Sequence, residues 1–582
     1  MVLGHVRLSI LDLSEAGSQP MVSHDGRYVM VLNGEIYNHK DLCKKLISEG
    51  KVRSFRGHSD TEVLLEYASA YGFETALTAS IGMFAVGVYD RQEKKFFLGR
   101  DRIGEKPLYY GFSGNSFVFA SEIGCIYEFA GRQLEIDRDA LALYFRHGYI
   151  PAPYTIYKGI RKMEAGSIIE IATPYTEIKA YKYWDIMEVA KYGLSHRFRG
   201  SEEEASDELE RLLKQSVGRQ MAADVPVGAF LSGGIDSSAV AAVMQSLSDG
   251  KVKTFSIGFE ENEYNEACFA KNTAEYLGTD HTELYVTSKD VTDLIPRMPY
   301  IYGEPFADSS QLPTYLVSKL ARNKVTVSLS GDAGDELFCG YNSYLAFRKI
   351  WDCIKYIPMP FRKMGSTVLN NSLTKKIPKL KLIGKYLDAE GVEDIYVRQT
   401  NAYFVSQRLV LGGNVPGYKF AEYPLGYLKG EDIENVMLMD MLVYHPDDIL
   451  VKVDRSAMAV SLESRIPFLD KDIVEFAFSL PHEYKADRKT GKKVLRNVLY
   501  RYVPKVMMDR PKKGFGIPVD QWIRNGQLTE WAENLLDDSC IRRQGILDPE
   551  TVRTMWGNFK RGEENGARIW WLLMFQEWMM CN

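Results

Sequence analysis

The stretch Ser232-Gly233-Gly234-Ile235-Asp236-Ser237-Ser238 constrains the fold of this chain more than any other feature. It follows a short apolar run, VPVGAFL, and precedes SSAVAAVMQSL, whose apolar spacing predicts a helix. The two glycines allow a sharp turn and a close approach to an anion. The start of the helix offers that anion unpaired N–H groups and a partial positive charge. We therefore predict a phosphate-binding turn between a buried strand and a helix.

The side chains of this turn support the same prediction. Ser232, Ser237 and Ser238 provide hydroxyl donors for phosphate oxygens, and Asp236 provides a carboxylate of the kind that binds Mg²⁺. The turn is not a Walker loop, because the lysine and the GxxxxGK spacing are missing. A plain glycine turn that caps a helix is the alternative, but SGGxDS after a strand is more specific than an isolated glycine pattern.

Strands and helices alternate on both sides of this turn. VKTFSIGF and VTVSLSG are nearly continuous apolar runs, which are typical of parallel strands covered on both faces, and NEACFAKNTAEYL between them predicts a helix. After about residue 345 the pattern is mostly helical. We predict a doubly wound α/β domain with a helical extension over residues 196–582.

A second glycine-rich acidic turn, Ser330-Gly331-Asp332-Ala333-Gly334-Asp335-Glu336, follows the strand VTVSL. The carboxyl ends of parallel strands meet at one edge of a sheet, so this turn should face the same crevice as the first. Taken alone it is weak, because acidic glycine turns are commonly just solvated loops.

Residues 1–195 have a different pattern. RLSILDL, RYVMVLNGEIY, GMFAVGVYD, KKFFLGRD and NSFVFASEI predict strands, and helices are expected near His39–Ser48 and Thr61–Tyr71. This mixture predicts a layered α+β domain. We place the domain boundary near residue 195, where the apolar pattern fades into the polar stretch SHRFRGSEEEAS.

Composition excludes several classes of protein. The net charge of −5 gives no reason to expect nucleic-acid binding, and no apolar run reaches the roughly 20 residues that span a bilayer. The start of the chain lacks the pattern of a signal peptide, so a cytoplasmic protein with no membrane partner is expected. The seven cysteines are scattered and never form CxxC, which argues against disulfides and against a zinc site.

Five segments in succession resemble the asparagine synthetases: VPVGAFLSGGIDSS, YGEPFADSS, VSLSGDAGDELFCGY, PDDILVKVDRSAMAVSLESRIPFLD and RPKKGFGIP. The resemblance covers nearly the whole chain and implies an ATP pyrophosphatase-loop domain. It assigns nucleotide contacts to Leu231, Ile257, Ser330 and Gly331 besides the first turn. It also implies that Asp236 and Asp335 bind Mg²⁺–pyrophosphate, that Asp332 assists the adenylate chemistry and that Lys512 steadies the leaving pyrophosphate. Lys512 beside Lys513 is otherwise an ordinary solvated pair.

The first domain resembles a glutamine amidotransferase of the N-terminal-nucleophile type, with an αββα layer. By that resemblance Asn33 and Gly34 form the oxyanion hole, Arg7 holds the carboxylate of glutamine, and Glu35 and Asp60 help to hold glutamine. NGEIYN as a simple hairpin turn is the alternative. Two ion pairs, Asp454 with Arg455 and Glu463 with Arg465, are interpreted as structural.

The resemblance starts in mid-domain, and no cysteine stands at the beginning of the chain. We therefore expect a truncated glutaminase that cannot hydrolyse glutamine and a synthetase that uses free ammonia; a start codon placed too far downstream would explain the same absence. Cys43 lies in a predicted helix and is no substitute nucleophile.

The resemblance as a whole implies that aspartate, ATP and an amide nitrogen give asparagine, AMP and pyrophosphate. Two alternatives stay open. One is an amidotransferase for another carboxylate, such as a cell-wall or surface-polysaccharide precursor, because EPFADSSQLP carries no obvious cation for the α-carboxylate of aspartate. The other is an inactive regulatory homologue. The expected partners are small molecules, and a homodimer is left open.

Overall fold

The computed structural model describes residues 2–172, 177–259, 267–370, 383–400, 409–417, 427, 428, 430, 432–508, 517 and 519–582. The strands are β1 (Met21–Val22), β2 (Tyr28–Ile36), β3 (Gly82–Asp90), β4 (Lys95–Arg100), β5 (Tyr109–Ser113), β6 (Ser116–Ala120), β7 (Ile160–Lys162), β8 (Ser167–Ala172), β9 (Ile178–Lys182), β10 (Val227–Phe230), β11 (Lys253–Phe259), β12 (Asp280–Val286), β13 (Val327–Leu329) and β14 (Glu463–Arg465).

The α-helices to Leu369 are α1 (His39–Ser48), α2 (Asp60–Tyr71), α3 (Phe73–Ala79), α4 (Ile123–Phe129), α5 (Arg138–His147), α6 (Ile186–Ser195), α7 (Glu202–Gln220), α8 (Ile235–Leu247), α9 (Ala267–Leu277), α10 (Ser288–Thr292), α11 (Met298–Tyr302), α12 (Gln311–Arg322), α13 (Gly334–Leu337), α14 (Asn342–Ile354) and α15 (Met359–Leu369). The later ones are α16 (Val392–Thr400), α17 (Asp432–Met439), α18 (Leu450–Met458), α19 (Lys471–Ser479), α20 (His482–Lys485), α21 (Lys493–Leu499), α22 (Lys505–Met508), α23 (Val519–Asn525), α24 (Thr529–Leu535), α25 (Asp538–Gln544), α26 (Pro549–Lys560) and α27 (Gly566–Cys581). A π-helix, Asp440–Ile449, joins α17 to α18.

The first half is built on an antiparallel sheet with the order β1-β2-β3-β4-β8-β9, and β6-β5-β7 form a second, smaller sheet. β2 and β3 pair along their whole lengths, from Tyr28 opposite Asp90 to Ile36 opposite Gly82. Helices α1 and α2 cover the sheet, and their apolar residues share one core with β2 and β3. The predicted α+β layer is confirmed.

One predicted strand of this half is wrong. RLSILDL forms no strand, and a short 3₁₀ turn, Glu15–Gly17, follows it. The guanidinium of Arg7 donates to the carbonyl oxygens of Leu11 and Asp12, both at 2.7 Å. These carbonyl oxygens therefore accept hydrogen bonds within a local turn and not from a neighbouring strand. Ile10 is nevertheless buried, as the apolar pattern suggests.

The second half contains a five-stranded parallel sheet with the order β12-β11-β10-β13-β14. Helices α7 and α8 pack against each other beside it, and α9 and α12 pack against β11. The strand order reverses next to β10, so the carboxyl ends of β10 and β13 lie side by side. The predicted doubly wound sheet with a helical extension is confirmed.

The two halves share one continuous core, which runs from Ile10 through the parallel sheet to Trp578 in α27. Buried ion pairs also join them: Lys162 Nζ lies 2.6 Å from Glu304, and Lys106 Nζ lies 3.0 Å from Asp454. The boundary near residue 195, at the end of α6, therefore stays a prediction. Within the described ranges no helix is both long and apolar enough to cross a membrane.

Candidate functional site

The predicted phosphate turn lies between β10 and α8, as the sequence indicates. Gly233 has φ +71°, a conformation that favours glycine, and Gly234 caps the helix. The hydroxyls of Ser232 and Ser237 lie 2.9 Å apart, and the Ser232 N–H donates to Ser237 Oγ at 3.1 Å. These bonds hold the turn in a defined shape, with the N-terminus of α8 behind it.

The second turn packs directly against the first. A Cβ placed on Gly331 would lie 2.5 Å from the backbone N of Ser237, and one placed on Gly334 would lie 2.4 Å from Asp236 Oδ1. Only glycine allows this approach of the two loops. The two turns therefore meet at one edge of the parallel sheet, and the crevice that they should face stays a prediction.

Lys492 joins the two predicted metal-binding carboxylates. Its Nζ contacts Asp236 Oδ2 and lies 2.7 Å from Asp335 Oδ1. Its side chain is only 5% exposed, and both carboxylates are 15% exposed. Burial lowers the pKa of Lys492, but the two carboxylates outweigh it and raise the pKa above its ordinary value. Sequence reasoning missed Lys492, which follows Gly491 in an ordinary-looking GKK.

The Asp236–Asp335 pair fits a magnesium ion. Mg²⁺ in nucleotide enzymes is commonly held by one or two carboxylates together with substrate phosphates, rather than by a complete protein cage. Two carboxylates converge here on one cation, the ammonium of Lys492, at the edge where the phosphate turn lies. In the described part of the chain no group of three or more His, Cys, Asp or Glu side chains forms a metal site. This is the donor set expected where the substrate completes the coordination.

The other predicted nucleotide residues surround this edge. Leu231 and Ile257 are buried, at 1% and 4% exposure, so only their backbones are available to a ligand without rearrangement. Ser238 is fully buried behind the turn. The Ser330 hydroxyl donates to Asp332 Oδ2 at 2.5 Å, which fixes the orientation of that carboxylate. Asp332 is partly exposed at the crevice.

Lys512, assigned to the leaving pyrophosphate, lies outside the described residues, and its role stays a prediction.

A buried cation lies near Asp332, at the start of α18. Lys452 Nζ donates to Asp308 Oδ2 at 2.7 Å. Burial lowers the pKa of Lys452, but Asp308 and Asp448 outweigh it and raise the pKa to about 12; Asp332 contributes in the same direction. Asp308 belongs to EPFADSS, so α18 places a cation beside this segment. Sequence reasoning missed this pairing.

Four predicted glutamine-binding residues lie close together in the first half. Asn33, Gly34 and Glu35 are consecutive in β2, and Asp60 Oδ2 accepts from the backbone N–H of Ile36 at 2.7 Å. Gly34 has φ +143°, and an added Cβ would lie 2.0 Å from the Met83 carbonyl oxygen. The first four residues of NGEIYN therefore belong to β2, and Tyr37 and Asn38 lead directly into α1, which excludes a hairpin turn.

Two of these carboxylates also have structural partners. The other oxygen of Asp60 accepts from Thr61 N–H at 2.7 Å, so the side chain links β2 to α2. Glu35 lies 3.5 Å from Arg465 Nη2 in the second half. Burial, first, and the nearby Asp60 raise the pKa of Glu35 well above its ordinary value. Arg7, as described above, bonds to a local turn. The glutamine-binding roles of all five residues stay predictions.

The ion pairs interpreted as structural are buried contacts. Arg455 Nε donates to Asp454 Oδ2 at 2.9 Å, and Arg465 Nε donates to Glu463 Oε1 at 2.8 Å. Arg465 also donates to the Gln220 carbonyl oxygen at 2.7 Å, at the end of α7. The structural interpretation is confirmed.

Family models match both halves of the chain. A model described as asparagine synthase matches residues 208–580, and one described as a glutamine amidotransferase domain matches residues 1–184. Asparagine synthetase [glutamine-hydrolyzing] 1 of Bacillus subtilis (strain 168) is 32% identical over 595 residues, which cover 100% of this chain and 89% of that protein.

Two further relatives have similar coverage. A putative asparagine synthetase [glutamine-hydrolyzing] of Mycobacterium tuberculosis (strain ATCC 25618 / H37Rv) is 33% identical over 598 residues, which cover 99% of this chain and 88% of that protein. Amidase chry2 of Gibberella zeae is 26% identical over 607 residues, with 96% of this chain and 87% of that protein covered.

Proposed function

Because the chain belongs to the glutamine-hydrolysing asparagine synthetase family, a family of ligases, we propose that it converts aspartate to asparagine through a β-aspartyl-adenylate. The observation that carries the proposal is the crevice where Asp236 and Asp335 converge on Lys492 beside the phosphate turn. The N-terminus of α8 and the ammonium group of Lys492 suit the phosphates of ATP, and the two carboxylates suit Mg²⁺.

The reaction has two steps. A side-chain carboxylate oxygen of aspartate attacks the α-phosphorus of ATP, and the bond to the β,γ-pyrophosphate breaks. Ammonia then attacks the acyl carbon, AMP leaves with that carboxylate oxygen, and a proton is lost from nitrogen. Magnesium, when bound, would neutralise charge on the departing pyrophosphate. Asp236 and Asp335 would hold it, and Lys492 would be free to turn its ammonium toward phosphate oxygens.

Lys452 and its acidic neighbours favour aspartate as the acceptor. An amino acid needs a cation for its α-carboxylate and an anion for its α-ammonium group. Lys452 provides the first, and Asp308 provides the second, beside Asp332. EPFADSSQLP itself contains no cation for the α-carboxylate of aspartate, and in this proposal Lys452 takes that part.

Pyrophosphate release tests the acceptor. The purified chain with ATP and Mg²⁺ is offered L-aspartate, β-alanine, succinate, L-glutamate and uronic acids. We expect L-aspartate to be preferred, and Lys452→Met to raise the KM for aspartate at least tenfold while the KM for ATP stays constant. The matched control is Lys471→Met, which removes a partly exposed lysine with a partner at i+4. Equal rates with β-alanine, which lacks the α-carboxylate, would refute carboxylate recognition by Lys452. Equal rates with succinate, which lacks the α-ammonium group, would refute ammonium recognition by Asp308.

Another carboxylate in place of aspartate is the alternative. The relative from Gibberella zeae carries the name of an amidase instead of a synthetase, at nearly full coverage. Turnover of a uronic acid in the same screen, with aspartate inert, would establish that alternative.

Ammonia is the species that attacks the adenylate, whichever donor supplies it. Cys43 does not replace a glutaminase nucleophile, because it lies within α1 beside the core and burial raises the pKa of its thiol. We expect the 582-residue chain to form amide with ammonium. Glutamate released from glutamine in step with amide would show that this chain hydrolyses glutamine itself.

A further inference from the structure

The two residues proposed to recognise aspartate lie on segments that the first half of the chain holds in place. Lys452 lies in α18, and Asp308 lies between α11 and α12. Both are outside the strands of the parallel sheet. Lys452 Nζ donates to Asp308 Oδ2 at 2.7 Å, so the pair joins the two segments. The geometry of the acceptor pocket therefore depends on the contacts that fix each segment.

Two ion pairs fix α18 to the first half. Lys106 Nζ lies 3.0 Å from Asp454 Oδ1, and the two side chains are only 2% and 7% exposed. Arg455 Nη1 lies 2.9 Å from Glu122 Oε1. Burial lowers the pKa of Lys106, but nearby carboxylates, Asp454 first, outweigh it and raise the pKa, so Lys106 stays charged. Because residues two apart on a helix do not face each other, Lys106 holds α18 from a side other than the one that carries Lys452.

The segment that carries Asp308 is tied to the first half at two points. Lys162 Nζ lies 2.6 Å from Glu304 Oε1, and these side chains are 5% and 6% exposed. The Ala307 N–H donates to the Gly148 carbonyl oxygen at 2.8 Å, one residue before Asp308. The first half therefore fixes the backbone directly beside Asp308.

We propose that the first half positions the acceptor pocket of the second, with Lys106 and Lys162 as positioning residues. This inference rests on the proposed function, because the pocket is the one assigned to aspartate. The two lysines act through Lys452 and Asp308 and not by contact with the substrate. A displacement of about 1 Å far from the reacting atoms can cost about 100-fold in rate. The first half thus takes part in amide synthesis whether or not it hydrolyses glutamine.

Steady-state kinetics of the full chain test this inference, with ammonium as the nitrogen donor and pyrophosphate release as the readout. Lys106→Met and Lys162→Met should each raise the KM for aspartate about tenfold while the KM for ATP stays constant. Lys106→Arg keeps the charge and should return the KM most of the way to that of the parent. The matched control is Lys485→Met, which removes an equally buried lysine, 1% exposed and 2.9 Å from Glu434 within the second half. It should lower the melting temperature and leave the KM for aspartate unchanged.

A milder variant covers the case in which the buried lysines are needed for folding. Glu122 is 62% exposed, so Glu122→Gln removes the partner of Arg455 without leaving a buried carboxylate. We expect the KM for aspartate to rise about threefold, the size of effect that a partly exposed ion pair supports. Its control is Glu128→Gln, because Glu128 lies in α4, six residues further on, and pairs with Arg132 on the surface. This control should leave the KM unchanged.

An unchanged KM for aspartate in both lysine variants and in Glu122→Gln overturns the inference, and the ion pairs then only hold the halves together. An equal rise in the KM for ATP, or a rise in the KM for aspartate in Lys485→Met, overturns it too, because the effect is then general. A parent that prefers another carboxylate overturns the proposed function alone, and the KM for that carboxylate then decides the inference. Absence of turnover with every acceptor overturns both.

Discussion

Replacing Lys492 by methionine removes a cation that Asp236 and Asp335 share. Two unit charges about 2.7 Å apart, the distance from Lys492 Nζ to Asp335 Oδ1, interact by about 6 kcal/mol at an effective dielectric constant of about 20. The cost of burying the lysine offsets part of this. Removal of one partner from a buried pair costs about 3–5 kcal/mol, because the remaining charge is left uncompensated. Here both carboxylates lose the ammonium group that they share, so we expect a fall in melting temperature without metal.

Magnesium should reverse this fall. The ion would occupy the region that the lysine ammonium vacates, and a ligand at 100 times its Kd stabilises by about 2.7 kcal/mol. Thermal melting with and without Mg²⁺ is the assay. We expect Mg²⁺ to raise the melting temperature of Lys492→Met more than that of the parent chain. The control is Lys493→Met, which removes a 25% exposed lysine paired with Glu202 and should change little. Equal Mg²⁺ shifts in parent and variant would refute the two-carboxylate metal site.

Three other predictions concern Asp332, Gly331 and Asp440. Asp332→Asn should lower turnover at least tenfold with an unchanged melting temperature, since general acid–base assistance is worth about 10²–10⁴-fold; normal turnover would leave Asp332 a loop residue. Gly331→Ala should lower kcat/KM for ATP at least tenfold by forcing the two turns apart, whereas Gly250→Ala, in open space, should not; equal activity of the two would contradict the close packing. Burial raises the pKa of Asp440 to about 7 against the hydrogen bonds from Tyr344 and Tyr396. Because this folded-state pKa exceeds the unfolded value, the stabilisation from Asp440 is present below about pH 4 and lost as pH rises through 7. The melting temperature of Asp440→Asn relative to the parent should therefore be higher at pH 8 than at pH 4. A difference in melting temperature that does not change with pH would argue against this titration.

The sequence was sufficient to predict that the two turns meet, because each turn follows directly on a strand whose direction in the sheet can be predicted. Each glycine-rich turn follows an apolar run that becomes a parallel strand, and parallel strands end at the same edge of a sheet. Ser232–Ser238 and Ser330–Glu336 therefore had to meet, and the contact of Gly331 with Ser237 shows that they do. Helices α1 and α2 likewise lie where the sequence predicts helices, near His39–Ser48 and Thr61–Tyr71.

Lys492 and Lys452 were missed because their partners are remote in sequence. Lys492 lies 256 residues from Asp236, and Lys452 lies 144 residues from Asp308. No local pattern separates such a lysine from a solvated one. The strand prediction for RLSILDL was wrong for a related reason. A strand needs a neighbouring strand to hydrogen-bond with, and here the guanidinium of Arg7 donates to two of the carbonyl oxygens instead. Tertiary pairing, not propensity, decided all three positions.

Oxygen transfer from the acceptor to the nucleotide tests the central claim most directly. The purified chain is incubated with ATP, Mg²⁺, ammonium and aspartate labelled with ¹⁸O in the side-chain carboxylate, and the products are analysed by ³¹P NMR and mass spectrometry. An acyl-adenylate leaves one labelled oxygen in AMP and the other in the side-chain amide of asparagine. Pyrophosphate is formed in an amount equal to asparagine and carries no label. Label in inorganic phosphate together with ADP would show an acyl-phosphate route and would contradict the account.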